Sequence, residues 1–302
     1  MYLKHFGLSE FPFGLTPDTQ FYLELPSHRE ALNVLLIALE NGEGFIKITG
    51  DVGTGKTMLC RKLLNHLQSP FISAYIPNPH LSTTELHLAI ADELGISISS
   101  DTGQNRMLKK INEFLLNAAA NQQKTVLIID EAQAMPVETL EALRLLTNLE
   151  TEKQKLLQIV LFGQPELDQL LKKKSIRQLK QRISFSYCLK KLTKTDVSAY
   201  IKHRLTIANI NNPAIFSKTS IAALHYYSQG TLRLINILAH KALLSAYGKG
   251  RSNIGLKQVK LAAQDTEDTC HRRYPLECRK QVILALLLSL SALTISLIQS
   301  SH

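Results

Sequence analysis

The stretch GDVGTGKT, Gly50 to Thr57, carries the densest chemistry in the sequence. It fits G-x-x-x-x-G-K-[ST] in full, with a strand-like FIKIT before it and a helical pattern after it. In such a turn the glycines let backbone N–H groups face inward around phosphate oxygens, and the helix N-terminus adds partial positive charge. Gly50, Asp51, Val52, Gly53, Thr54, Gly55, Lys56, Thr57 and Met58 are therefore the candidate nucleotide-binding residues. Lys56 is expected to reach the β- and γ-phosphates of ATP, and the Thr57 hydroxyl to ligate Mg²⁺. Downstream, VLIIDEAQ (Val126–Gln133) is an apolar strand ending on two carboxylates, at the sheet edge where such folds bind ligands. Asp130 is expected to hold the Mg²⁺ largely through water, and Glu131 to polarise the attacking water. Such a carboxylate gives hydrolysis rather than binding alone.

Three further polar positions are candidates. Gln164, in FGQPEL, follows a strand with no polar residue after Gln158. It can orient the water against the γ-phosphate, or cap the helix that Pro165 begins. SIRQLKQRIS offers Arg177 and Arg182 just before another strand, and Arg182 is the preferred candidate. In an oligomer either can enter a neighbour's site as an arginine finger, worth on the order of 10³–10⁵ in rate; the alternative is a solvated basic face beside Lys172–Lys174. Arg233, in GTLRLIN at a helix start, can close on the nucleotide, or simply lie on the surface.

These residues need a scaffold, and the sequence supplies one. FIKIT, FISAYI, TVLIID, LLQIVLFG and ISFSYCL read as strands that alternate with helical patterns. The predicted architecture is a doubly wound α/β domain: a parallel sheet sandwiched by helices, over residues 1–190 with an N-terminal segment 1–27. Beyond Lys191 four helical patterns follow without a convincing strand, which predicts a small all-helical domain over 191–265. The remainder is a basic linker, 266–281, and a membrane helix, 282–298.

Composition is consistent with this. Of 302 residues, 45% are hydrophobic and 20% charged, which excludes a disordered chain. The net charge of +10 points to an anionic partner. Cys60, Cys188, Cys270 and Cys278 have no C-x-x-C spacing, so thiols in a reducing compartment are expected rather than disulfides or a metal site. MYLKHFGLSE lacks the apolar core of a signal peptide.

Taken in order, these elements resemble an AAA+ ATPase, a P-loop NTPase whose helical lid would start after Lys191. The resemblance makes Gln164 its sensor 1 and Arg233 its sensor 2. MYLKHFGLSEFPFGLTPDTQFY, HREAL, GFIKITGDVGTGKTMLCRKLL, LIIDEAQ and FGQPEL narrow it to the ExeA/GspA type of secretion-associated ATPase. The match covers about residues 1–265. It implies ATP and Mg²⁺ as ligands, a homo-oligomer, and partners among inner-membrane pilus or secretion-system proteins. Its ATP turnover would support assembly of a type IV pilus of the MSHA kind or of a secretion apparatus. Relatives of this type continue past their membrane segment into a periplasmic peptidoglycan-binding domain. Here the sequence stops at His302, so a separate membrane partner is expected to make any periplasmic contact.

Val282–Ile298 supports the anchor. It holds seventeen residues without a charge, eleven of them Leu, Ile or Val. These contribute roughly −3 to −7 kcal/mol toward insertion, and as a helix the run spans about 25 Å. Arg272, Arg273, Arg279 and Lys280 precede it and no Lys or Arg follows, which predicts a single pass through the bacterial inner membrane with the ATPase cytoplasmic. A buried or partner-docking helix is the alternative. For the whole chain two other functions remain open: a nucleotide-switched scaffold in which turnover matters little, and a DNA-associated AAA+ ATPase. The absence of room for a DNA-reading domain argues against nucleic acid as a partner.

Overall fold

The computed structural model describes residues 2–98, 103–147, 155–210, 212 and 214–269. The chain divides into two units, Thr16–Lys191 and a second made of Met1–Leu15 with Leu192 onward.

In the first unit, strands β1 (Phe45–Thr49), β2 (Phe71–Ile76), β3 (Lys124–Ile129), β4 (Leu157–Gly163) and β5 (Ile183–Cys188) form one parallel sheet in the order β2-β3-β4-β1-β5. Both faces of the central strands are covered, which explains their mostly apolar composition. Leu127, Ile129, Ile159 and Leu161 pack on one side with α4 (Thr83–Glu93), α5 (Gln104–Ala120) and α6 (Val137–Leu146). Val126, Ile128, Val160 and Phe162 face the other side with α2 (Pro26–Glu40) and α3 (Lys56–His66). Gln158, almost fully buried on β4, is satisfied by donating to the carbonyls of Leu39 and Glu43, each at 3.1 Å. Edge strand β5 alternates half-buried and exposed residues, as an edge should. Two short helices, α7 (Glu166–Leu170) and α8 (Arg177–Arg182), lie between β4 and β5.

The second unit holds α1 (Tyr2–Phe6), α9 (Lys194–Ile207), α10 (Lys218–Ser228), α11 (Leu232–Tyr247) and α12 (Leu256–Gln264). Residues 2–15 group with these helices, whereas the sequence reading had put segment 1–27 with the sheet. The cause is polar as well as apolar. Tyr2 is 1% exposed, with its hydroxyl 3.0 Å from His240 Nδ1. Arg204, 5% exposed, donates to the Pro12 carbonyl, and Asn236 Nδ2 donates to the Gly14 carbonyl at 3.2 Å. Beyond α1 the arm has no ladder to satisfy its carbonyls, and these side chains supply donors instead. Asn236 also accepts from the Tyr200 hydroxyl at 2.9 Å, so the last residue of the GTLRLIN pattern holds the arm. Gly230 adopts φ +72°, and a Cβ there would meet the Leu192 carbonyl oxygen at 2.3 Å. Only glycine fits there.

Among the described residues, no helix is long and apolar enough to cross a membrane. The run 282–298 lies outside the described residues, as do Cys270 and Cys278.

Candidate active site

Parallel strands put all their carboxyl ends on one edge, and the order β3-β4-β1 makes three chemically loaded turns neighbours there. The P-loop leaves β1, the Asp130–Glu131 pair leaves β3, and Gln164 leaves β4. The Gly50 N–H bonds the Gly163 carbonyl at 3.2 Å, which ties the first and third turns together.

Gly55, at φ +98°, caps α3 in a left-handed conformation with no side chain bonded to the helix's first N–H groups. That leaves a donor-lined, positively polarised turn suited to phosphate. Lys56 is 4% exposed; its ammonium donates to the carbonyls of Gly50 at 2.7 Å and Asp51 at 3.1 Å. Burial pushes its pKa down, against the opposing pull of Glu131, Asp130, Asp51 and Glu166. The Asp51 carboxylate pairs with Lys191 at 2.7 Å, while Val52 stands exposed at the loop tip. From beneath, the buried His28 on α2 has Nε2 2.9 Å from the Thr54 carbonyl, a bond in which the imidazole donates. Burial holds His28 below the usual histidine range, so the ring is neutral.

The Thr57 hydroxyl donates to Asp130 Oδ2 at 2.7 Å, which sets two hard oxygens side by side, as Mg²⁺ requires. Asp130 is 2% exposed; burial raises its pKa while the bonds from Thr57 and the Glu131 N–H oppose the rise. Such a carboxylate benefits from a cation, so the residues present fit the metal.

Glu131 sits in the left-handed region at φ +51°, an uncommon conformation for this residue type. The chain then makes a 3₁₀ turn, Ala132–Ala134, that brings Gln133 back against Glu131. Gln133 Nε2 donates to Glu131 Oε2 at 2.5 Å, and Gln164 Nε2 donates to the same oxygen at 3.0 Å. Gln133 closes the ring by accepting the Gln164 N–H on Oε1 at 2.9 Å. Burial alone would raise the Glu131 pKa, but the two amide donors and the Lys56 charge together hold it below the usual range. The site therefore presents an ionised carboxylate whose one oxygen is fixed and whose other has no bond to either amide.

The structure thus brings Lys56, Thr57, Asp130, Glu131 and Gln164 together. Arg182 is instead bound to the end of α6, donating to Thr147 Oγ1 at 2.9 Å and to the Arg144 carbonyl at 3.3 Å. Arg177 is exposed at the start of α8. Arg233 is exposed in the first turn of α11, in the other unit. Sequence reasoning missed Gln133 and the bond from His28. DEAQ contains Gln133, but its use depends on a left-handed Glu131, which no spacing reveals. Replacing Gln133 by Leu is expected to lower turnover by about 10- to 100-fold with nucleotide affinity nearly unchanged, because it frees Glu131 without touching the phosphate cradle. Steady-state kinetics beside equilibrium nucleotide binding will read that split.

A P-loop, a neighbouring acidic pair and a glutamine on a parallel sheet of order β2-β3-β4-β1-β5 make up an ATPase site on an AAA+ fold. Residues 39–171 match the family described as an AAA domain. The chain is 42% identical over 265 residues to general secretion pathway protein A of Aeromonas hydrophila, covering 88% of this chain. It spans 48% of that relative's length, about half. Solved structures share the fold at low identity. Cdc6p from Pyrobaculum aerophilum superposes with TM-score 0.63 at 20% identity, over 82% of this chain and 70% of that one. The RuvB Holliday junction branch migration motor of Thermotoga maritima gives 0.55 at 16% identity, over 85% and 73%.

Proposed function

We propose that this chain is a membrane-tethered ATPase whose turnover supports assembly of a type IV pilus of the MSHA kind, the finer placement being with MshM, or of a secretion apparatus. The supporting observation is the 42% identity to a general secretion pathway protein, which runs over 88% of the chain and so reaches beyond the AAA domain at 39–171. The ATPase side faces the cytoplasm, and the run 282–298 is the anchor in the bacterial inner membrane. The two units are read as nucleotide-binding domain and lid.

On this reading the residues take the following roles. Gly50 to Met58 enclose the phosphates of ATP, and Lys56 exchanges its loop carbonyls for β- and γ-oxygens. Thr57 and Asp130 would hold Mg²⁺, which would supply charge neutralisation to the phosphates. Glu131, fixed by Gln133 and Gln164, uses its remaining oxygen to orient and deprotonate water. Gln164, adjoining both Glu131 and the P-loop edge, is placed to sense the γ-phosphate. Arg182 serves a neighbouring copy in a homo-oligomer after leaving Thr147, and Arg233 closes from the lid. Pilus or secretion-system proteins of the inner membrane are the partners.

Cell fractionation of the full chain and of a form lacking 282–302 tests the reading. The full chain should sediment with membranes together with envelope-assembly proteins, and the truncated form should be released with its ATPase intact. Equal distribution of both forms would sink the tether.

A further inference from the structure

We propose that a cleft in the helical unit is the docking site of the chain's own apolar run, residues 282–298, whenever that run is outside a bilayer. The cleft, of about 420 Å³, lies between the N-terminal arm and α11 and is lined by Phe11, Phe13, Leu15, Ile237, His240 and Lys241. Phe11 and Leu15 are 54% and 58% exposed. On α11, Leu244 and Tyr247 continue the same strip at helical spacing from Ile237 and Lys241, and both are exposed. Exposed apolar residues beside a concave cleft make the kind of surface on which an apolar segment lies.

Three observations choose the occupant. The first is where the described chain ends. Lys241, on the wall of the cleft, donates to Thr266 Oγ1 at 3.1 Å and pairs with Asp265 Oδ2 at 2.9 Å, so the chain leaves α12 at the rim. The second is charge. Lys241 carries the only formal charge among the lining residues, and Asp265 neutralises it; the run 282–298 carries none. Burial keeps His240 below the usual histidine range, so it adds no charge near neutral pH. A charged partner finds nothing to read there. The third is the tether. Residues 270–281 can reach about 40 Å, and a tether of that length holds its end at an effective concentration on the order of millimolar. A contact too weak for a separate partner is then occupied within one chain.

The test uses the full chain, lipid-free and at low micromolar concentration, with a photo-crosslinking residue at Leu15. It is mixed with an isotopically labelled copy. The expected products join position 15 to peptides from 282–298 of the same isotopic label. Products of mixed label, or none with 282–298, would overturn the proposal. A second variant, full-length with Leu287→Asp and Leu288→Asp, should exchange the amides of residues 11–15 about tenfold faster than the parent with ATP turnover unchanged. Identical exchange would equally overturn it. Failure of the membrane reading would show in fractionation, which neither measurement consults.

Discussion

Replacing Glu131 by Gln is expected to lower ATP turnover by on the order of 10²–10⁴-fold while leaving nucleotide affinity nearly unchanged. The contacts explain why the two effects separate. Gln133 and Gln164 donate to one oxygen of Glu131, at 2.5 and 3.0 Å, and a glutamine carbonyl in that place can accept both bonds, though more weakly than a carboxylate. The side chain therefore keeps its place. What disappears is basicity: an amide cannot take a proton from water. The P-loop, Thr57 and Asp130 are untouched, so ATP should accumulate bound and unhydrolysed. Single-turnover hydrolysis beside calorimetric binding separates these outcomes, and ordinary turnover by Glu131→Gln would remove Glu131 from its proposed role. The same variant tests function in cells. Complete assembly without turnover would favour a nucleotide-switched scaffold.

The strands were legible because burial on both faces leaves a compositional trace. FIKIT and FISAYI fall on β1 and β2 residue for residue, and the LIID run ends where β3 gives way to Asp130. The P-loop was legible because its geometry needs glycines and a lysine at fixed spacing. What escaped depends on backbone conformation or distant contact. The clasp on Glu131 requires a left-handed residue followed by a 3₁₀ turn, and neither has a composition of its own. The N-terminal arm looked like part of the sheet domain because its aromatics could fill any core. Its place is set by Arg204 and Asn236, about two hundred residues away in sequence.

Arg182 shows a different limit. The sequence offers it as a finger or as a solvated basic residue, and the structure shows a third state: a donor at the carboxyl end of α6. A cation is favourable at a helix C-terminus, so the present contacts stabilise the isolated chain. A role in a neighbour's site must offset the loss of those contacts, which makes any finger conditional on assembly.

Replacing Lys56 by Ala is expected to weaken nucleotide binding by on the order of 10²–10⁴-fold. Charge-assisted hydrogen bonds are worth about 1.5–3 kcal/mol each, and on the proposed reading Lys56 would give two of them to phosphate in exchange for its bonds to the Gly50 and Asp51 carbonyls. Two such bonds, at 1.4 kcal/mol per tenfold, give that range. The effect on the fold should be far smaller. Lys56 is 4% exposed, and its burial opposes its charge, so removing it also removes a desolvation cost. Against this, the Gly50 carbonyl loses a donor, and Asp130 and Glu131 lose a neighbouring cation. These terms are of opposite sign, so thermal unfolding of Lys56→Ala without nucleotide should lie close to the parent. The two proteins should part only when ATP is added: the parent's midpoint rises with ligand concentration by linkage, and the variant's stays flat until concentrations some hundredfold higher. Equal ATP-dependent stabilisation of both would mean that the phosphates do not bind at this lysine, and the site would have to be sought elsewhere.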